Sequence, residues 1–213
     1  MEDVLDVYKR AYDHKRPVVC MDETNKQQLK ELRAPISIEP GKPERFDTEY
    51  ERNGTSNIFI SFEPLKGKRR LKVTDNRRRT DWAHFIKEVV DIDYPNAEKI
   101  VRVMDNLNTH SGASFYETFA PGEAKRILDK LEIHYTPKHG SWLNIAELEL
   151  SHLSRQCLAR RIEDQEKLTK EVAAWERRRN QKEVKVNWQF TTEKARIKLK
   201  KLYPIITETN RQN

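Results

Sequence analysis

The sequence predicts an α/β fold, a mixed sheet flanked by helices and followed by a basic helical C-terminal segment. Three observations carry this. Short apolar, partly β-branched runs at Pro17–Met21, Ile58–Phe62 and Ile100–Met104 have the length of strands and are separated by segments of helical periodicity. The order is strand, hairpin strands, helix, strand, helices, strand, long helices, which suits a sheet with both parallel and antiparallel neighbours. Charge is segregated as well: residues 155–203 hold 15 Lys+Arg against 7 Asp+Glu, whereas residues 1–154 hold 25 against 26.

Residues 1–16 read as a short charged lead-in, and Val18 to Glu23 as a buried strand. Residues 25–55, with Pro35, Pro40, Gly41, Pro43 and Gly54 among many charges, read as a long insertion loop with a short helix near Gln27–Arg33. Ser56–Phe62 and Arg69–Thr74 flank the turn Pro64-Leu65-Lys66-Gly67 and form a hairpin. Thr80 is placed to cap a helix through Val90 with Trp82, Phe85, Ile86 and Val89 on one face. Lys99–Asp105 is the next strand; Ser111–Phe119 and Pro121–Leu131 are helices, the second with proline in its first turn. Glu132–Thr136 is a short strand, Trp142–Ala159 a strong helix, and Leu168–Asn180 and Thr192–Leu202 two basic helices. The expected division is a catalytic core over 1–160 and a helical segment over 161–213 packed on the same domain.

With 213 residues the chain can bury one good-sized core. No apolar stretch approaches the roughly 18 residues a membrane span needs, and the start Met1-Glu2-Asp3-Val4-Leu5-Asp6 has no secretory pattern. Membrane partners are therefore not expected, and the location expected is cytoplasmic. Cys20 and Cys157 are the only cysteines; neither a disulfide framework nor a zinc site follows from them. The net charge of +7 calls for a polyanionic partner, with solvated helix faces as the plainer alternative.

Three carboxylates stand out. Asp22 ends one apolar run, Asp105 ends another, and Glu147 lies in the helix-like segment after Trp142. If the two strands are parallel neighbours, both Asp side chains emerge at one carboxyl edge, where open α/β sheets place their sites. At about 100° per residue, Glu147 falls beside Leu143 and Leu150 on the apolar stripe, and Glu149 on the far side toward water. Each acid alone also fits a turn, a helix cap or a salt bridge. Together they suit a hard divalent ion, Mg²⁺ or Mn²⁺, and paired ions held by shared carboxylates perform in-line phosphoryl displacement.

Met21-Asp22-Glu23-Thr24, Asp105-Asn106-Leu107-Asn108-Thr109-His110 and Thr136-Pro137-Lys138-His139-Gly140-Ser141-Trp142-Leu143-Asn144-Ile145-Ala146-Glu147 resemble the three catalytic blocks of DDE transposases, in particular bacterial insertion-sequence transposases of the mariner superfamily. Pro43-Glu44-Arg45, Tyr50-Glu51-Arg52-Asn53-Gly54-Thr55, Trp175, Arg178-Arg179-Asn180 and Leu202-Tyr203-Pro204 extend the resemblance over nearly the whole chain. It implies a ribonuclease-H-like fold and two-metal-ion DNA strand cleavage and 3′-hydroxyl strand transfer. Asp22, Asp105 and Glu147 would hold two Mg²⁺ or Mn²⁺ ions. It also implies transposon-end and target DNA as partners, a homodimer in the synaptic complex, and a bacterial, nucleoid-associated location. The family's N-terminal helix-turn-helix has no counterpart before residue 22, so a separate or missing reading domain is expected.

Around the triad, Asn106, His110 and Asn144 are candidates to orient the ligands, and His110 fits a helix-start role equally well. Lys138, His139, Arg69, Arg70, Arg77, Arg78 and Arg79 are candidates for DNA-backbone contact, and a solvated loop or hairpin surface accounts for them as well. Trp142, Trp175 and Trp188 read as core. Two other functions remain open: a non-catalytic DNA-binding remnant, and a ribonuclease-H-type nuclease acting on RNA–DNA hybrids.

Overall fold

The computed structural model describes residues 1–33, 36–42, 45, 48–107 and 110–203. Pro35, Pro43, Glu44, Asn108, Thr109 and Pro204, parts of the loop and blocks named above, lie outside the described residues. Five strands are present among the described residues: β1 (Val18–Glu31), β2 (Tyr50–Glu63), β3 (Lys68–Thr74), β4 (Ile100–Met104) and β5 (Leu131–Tyr135). They form one sheet in the order β3-β2-β1-β4-β5. The first three make an antiparallel meander, and β4 and β5 continue from β1 in parallel. The sheet is mixed and flanked by helices, as the element order predicts.

Among the described residues seven α-helices surround it: α1 (Glu2–Tyr8), α2 (Arg79–Glu88), α3 (Ala113–Thr118), α4 (Pro121–Asp129), α5 (Ala146–Leu153), α6 (Gln165–Gln181) and α7 (Thr192–Lys198). Side chains alternate along a strand, so each buried strand feeds two layers. Cys20, Ile58, Ile60, Val101 and Val103 meet Leu5, Leu150, Leu153, Leu168, Trp175 and Ala195 on one face. Val19, Met21, Phe59, Ile100 and Met104 meet Trp82, Phe85, Phe115 and Ile127 on the other. The basic C-terminal helices thus bury Leu168, Val172, Trp175 and Ala195 in the first of these layers.

Several expectations need correction. The lead-in is not a charged tail: Val4, Leu5 and Val7 of α1 are buried. Residues 25–31 and 50–55 are strand, not loop, and no helix forms near Gln27–Arg33. Past Lys26 the β1–β2 pair is a two-stranded arm, largely exposed apart from the buried Gln28, so its polar residues hide the strand pattern. A bulge between Gln27 and Leu29 shifts its register. Farther out, Glu39 and Lys42 bridge across Pro40-Gly41, where Gly41 takes φ 78°, a left-handed turn position that suits glycine. Trp142 is 44% exposed and touches Phe190 edge-on instead of joining the core.

The helix carrying Glu147 begins at Ala146, not Trp142. A short 3₁₀ turn, Ser141–Leu143, precedes it, and Asn144 adopts an extended conformation. Its side chain replaces the helical bonds that the break leaves out, accepting from Ala146 N (3.2 Å) and donating to the Met21 carbonyl (2.7 Å).

Candidate active site

The β1–β4 register pairs Val18 with Val101, Val19 with Arg102 and Cys20 with Val103. Extended by two residues, it sets Asp22 level with Asp105. Asp22 does not end its strand: β1 runs on along β2, where Asp22 pairs with Ile60, while β4 stops at Met104. The two acids therefore flank the point where β1 loses its parallel neighbour, and that gap opens the sheet edge.

Glu147 joins them from the first turn of α5. Asn144 (2% exposed) fastens the start of this helix to the backbone residue preceding Asp22. Tyr8 adds a second fastening: its hydroxyl donates to the Leu143 carbonyl (2.7 Å) and accepts from Ile145 N (3.4 Å). Burial pushes the Asp22 carboxyl up to about 7. The Glu23 N–H at its Oδ1 (2.8 Å) opposes this, and the charges of Glu23, Asp105 and Glu147 reinforce it. Asp105 and Glu147 thus both lie within electrostatic reach of Asp22.

The tightest set of ligand-type atoms among the described residues is a different one: Glu23, Asp105 and His110, all within 4.8 Å of one another. His110 Nδ1 lies 2.8 Å from Asp105 Oδ1, and Nε2 lies 3.3 Å from Glu23 Oε2. Burial by itself would lower the imidazole pKa; the hydrogen bonds and charges of Asp105 and Glu23 outweigh it and raise the value to about 9. His110 is the basic side chain paired with Asp105. The sequence reading set Glu23 at the end of the buried strand and assigned it no role. The signal available was β1 parity, which puts Glu23 on the face of Met21, opposite to Asp22.

Glu149 does not point at water. It is fully buried, and Arg69 Nε (3.0 Å) and Arg179 Nη2 (2.7 Å) pair with its carboxylate. Standing three residues after Ala146 and four before Leu153, it belongs to the buried stripe, while Glu147 is half-buried on that stripe's flank. The same pair removes Arg69 from the DNA-backbone candidates: it is 1% exposed and also donates to Gly67 O and Val184 O. Arg70 is held in a bidentate pair with Asp93. Arg79 pairs with Glu117 at 2.5 Å, and Arg78 is an exposed residue whose backbone N–H is capped by Asp81. Arg77 and Lys138 are exposed and, among the described residues, have no ion-pair partner. His139 is exposed with φ 63°, in a turn closed by Gly140 N to Pro137 O (2.8 Å) just ahead of the Glu147 helix. A Cβ on Gly140 would stand 2.5 Å from Pro137 Cγ, so the turn admits only glycine there. Asn106 is exposed beside Asp105.

The donors at this edge are carboxylate oxygens, and three of them surround an Asp22 whose ionised form is penalised. That chemistry fits a hard divalent ion, which would reverse the penalty.

A family model described as DDE superfamily endonuclease matches residues 17–169. The chain belongs to the DDE endonuclease superfamily. The matched region takes in the whole sheet and all three acids. Solved structures agree on the fold of this DDE endonuclease. The Mos1 mariner paired-end complex with Mn is 16% identical at TM-score 0.54, covering 86% of this chain and 55% of that one. The Mos1 transposase paired-end complex with left transposon end is 13% identical at TM-score 0.56, and the Mos1 strand transfer complex 15% at 0.55. Each covers 86% of this chain and 56% of the other. The fold is thus the ribonuclease-H-like one that the sequence blocks imply, and this DDE endonuclease spans just over half the length of the solved chains it matches. A comparison with curated proteins finds no match. Among the described residues no helix is long and apolar enough to cross a membrane.

Proposed function

We propose that this chain is the catalytic domain of a mariner-type transposase, cutting DNA strands at element ends and joining the freed 3′-hydroxyl to target DNA. The observation that carries this reading is the convergence of Asp22, Asp105 and Glu147 at one sheet edge in a DDE endonuclease. Asp22 lies on β1 and Asp105 just past the end of its parallel neighbour β4, and Asn144 ties the Glu147 helix to β1.

In this reading Asp22, Asp105 and Glu147 would together hold two divalent ions, Mg²⁺ or Mn²⁺. Bound there, such ions supply Lewis acidity for phosphodiester displacement. Asp22 offers Oδ2, since Oδ1 accepts the Glu23 N–H. Asp105 offers Oδ2, since Oδ1 faces His110. Lys138 and His139 on the turn before α5, and Arg77 on the loop before α2, are placed to meet DNA phosphates. The Mos1 complexes hold paired transposon ends, and a homodimer that pairs two ends is the corresponding proposal for this chain.

The test is nicking of supercoiled plasmid with Mn²⁺ or Mg²⁺. Nicking should require the ion and fall at least 100-fold in Asp22→Asn, Asp105→Asn and Glu147→Gln. Equal activity in wild type and all three variants would refute the assignment. Salt-dependent DNA binding with no cleavage would favour a DNA-binding remnant, and preference for RNA–DNA hybrid would favour a ribonuclease-H-type enzyme.

A further inference from the structure

We propose that Glu23 and His110 form a positioning clamp for Asp105, fixing one carboxylate oxygen so that the other is presented to the metal site. The clamp rests on the reading of Asp105 as a ligand. It adds two residues that do not themselves touch the ion or the DNA.

Position in the sheet is the first argument. Cys20 and Asp22 share the face covered by α5, whereas Val19, Met21 and Glu23 share the face covered by α2. Glu23 therefore cannot join Asp22 and Glu147 on their side. It approaches the same edge from behind, with a side chain only 4% exposed. An acid buried this far is costly without a counter-charge. Its Oε2 makes no hydrogen bond of good geometry, and the ring nitrogen it faces is His110 Nε2 at 3.3 Å.

The second argument is the rigidity of His110. The residue is 1% exposed, and its ring stacks on Trp82 with centroids 5.3 Å apart and planes at 22°. Its carbonyl accepts from the Tyr135 hydroxyl (3.0 Å), and its N–H donates to Leu107 O (2.9 Å). Each ring nitrogen thus faces one carboxylate from a fixed position.

Asp105 needs such support. It lies one residue beyond the end of β4, where no ladder bond restrains it, and its side chain is 31% exposed. Outer partners of ligating groups orient them, and their loss typically costs about 10–100-fold in metal affinity.

Mn²⁺ binding to the full chain, measured by calorimetry and by pulsed electron paramagnetic resonance, tests the clamp, with a thermal melt of every variant. His110→Ala should weaken binding about 10–100-fold. His110→Asn, whose amide can still donate to Asp105, should recover most of that loss, and Glu23→Gln should fall between the two. A purely structural role would lower the melting temperature, leave the affinity of the folded protein unchanged and show no recovery with Asn; that pattern overturns the clamp. Nitrogen coupling to bound Mn²⁺ that vanishes in His110→Ala would make His110 a ligand and overturn it too. Wild-type protein that binds no Mn²⁺ would overturn the metal reading and the clamp with it, whereas equal affinities in all variants overturn the clamp alone.

Discussion

Asn144 joins the catalytic helix to the catalytic strand, and its removal should damage stability and activity together. The side chain donates to Met21 O at 2.7 Å and accepts from Ala146 N at 3.2 Å. Asn144 is 2% exposed, and Met21 and Ala146 are fully buried, so water cannot replace either bond. Leaving one buried donor and one buried acceptor unsatisfied costs about 1–3 kcal/mol each. Asn144→Ala should therefore lose roughly 2–6 kcal/mol, which for a chain of this size lowers the melting temperature by about 4–24 °C. Asn144→Asp keeps an acceptor for Ala146 N but turns a carboxylate toward the Met21 carbonyl, and it adds negative charge beside Asp22. Its deficit should shrink when Mn²⁺ is added, and that of Asn144→Ala should not. Urea titration with and without metal, alongside plasmid nicking, reads both effects. An Asn144→Ala protein within about 0.5 kcal/mol of wild type that nicks at the normal rate would show that the helix finds its place without this residue.

Other residues make separate predictions. Arg102 is fully buried in β4, its three guanidinium nitrogens have no hydrogen-bond partner among the described residues, and burial drags its pKa down to about 10. Arg102→Met should thus raise stability by about 1–4 kcal/mol in urea denaturation, and a loss of stability would mean that the arginine holds a partner of its own. Arg10 lowers the Glu132 carboxyl to about 2 against the opposing effect of burial, with His134 and Arg16 adding to it. Because the folded value lies below the unfolded one, this contribution is complete above about pH 4.5 and fades as pH falls toward 2. Glu132→Gln should flatten the acid side of a melting-temperature profile in that window and nowhere else, and an unchanged acid limb would refute the linkage.

What could be read in advance follows the range of the interactions. Adjacent parallel strands carrying Asp22 and Asp105 were legible because apolar runs and element order are local signals. The helix of Glu147 was legible for the same reason. Glu149 was misjudged because its burial is set by Arg69 and Arg179, residues 80 positions before and 30 after it, and no local period reports such a partnership. Arg69 looked like part of a basic surface by the same omission. Glu23 was assigned no role, and the strand beyond Asn25 was hidden by its exposure: an arm with little to bury carries no apolar alternation.

The helix of Glu147 is tied to β1 at both ends. Asn144 holds its start to Met21, while beyond its far end Lys26 donates to Leu158 O (2.7 Å) and Arg160 O (2.9 Å), and Leu29 N donates to Ile162 O (2.8 Å). These last contacts also cover the edge of β1 that β4 leaves bare. Asp22 and Glu147 are therefore joined through β1 at both ends of the catalytic helix. Asp105 meets β1 by two other routes, a ladder of three residue pairs from β4 and His110, which faces both Asp105 and Glu23. The spacing of Asp105 from the other two acids is thus set across the sheet, by that ladder and that histidine, and not along β1.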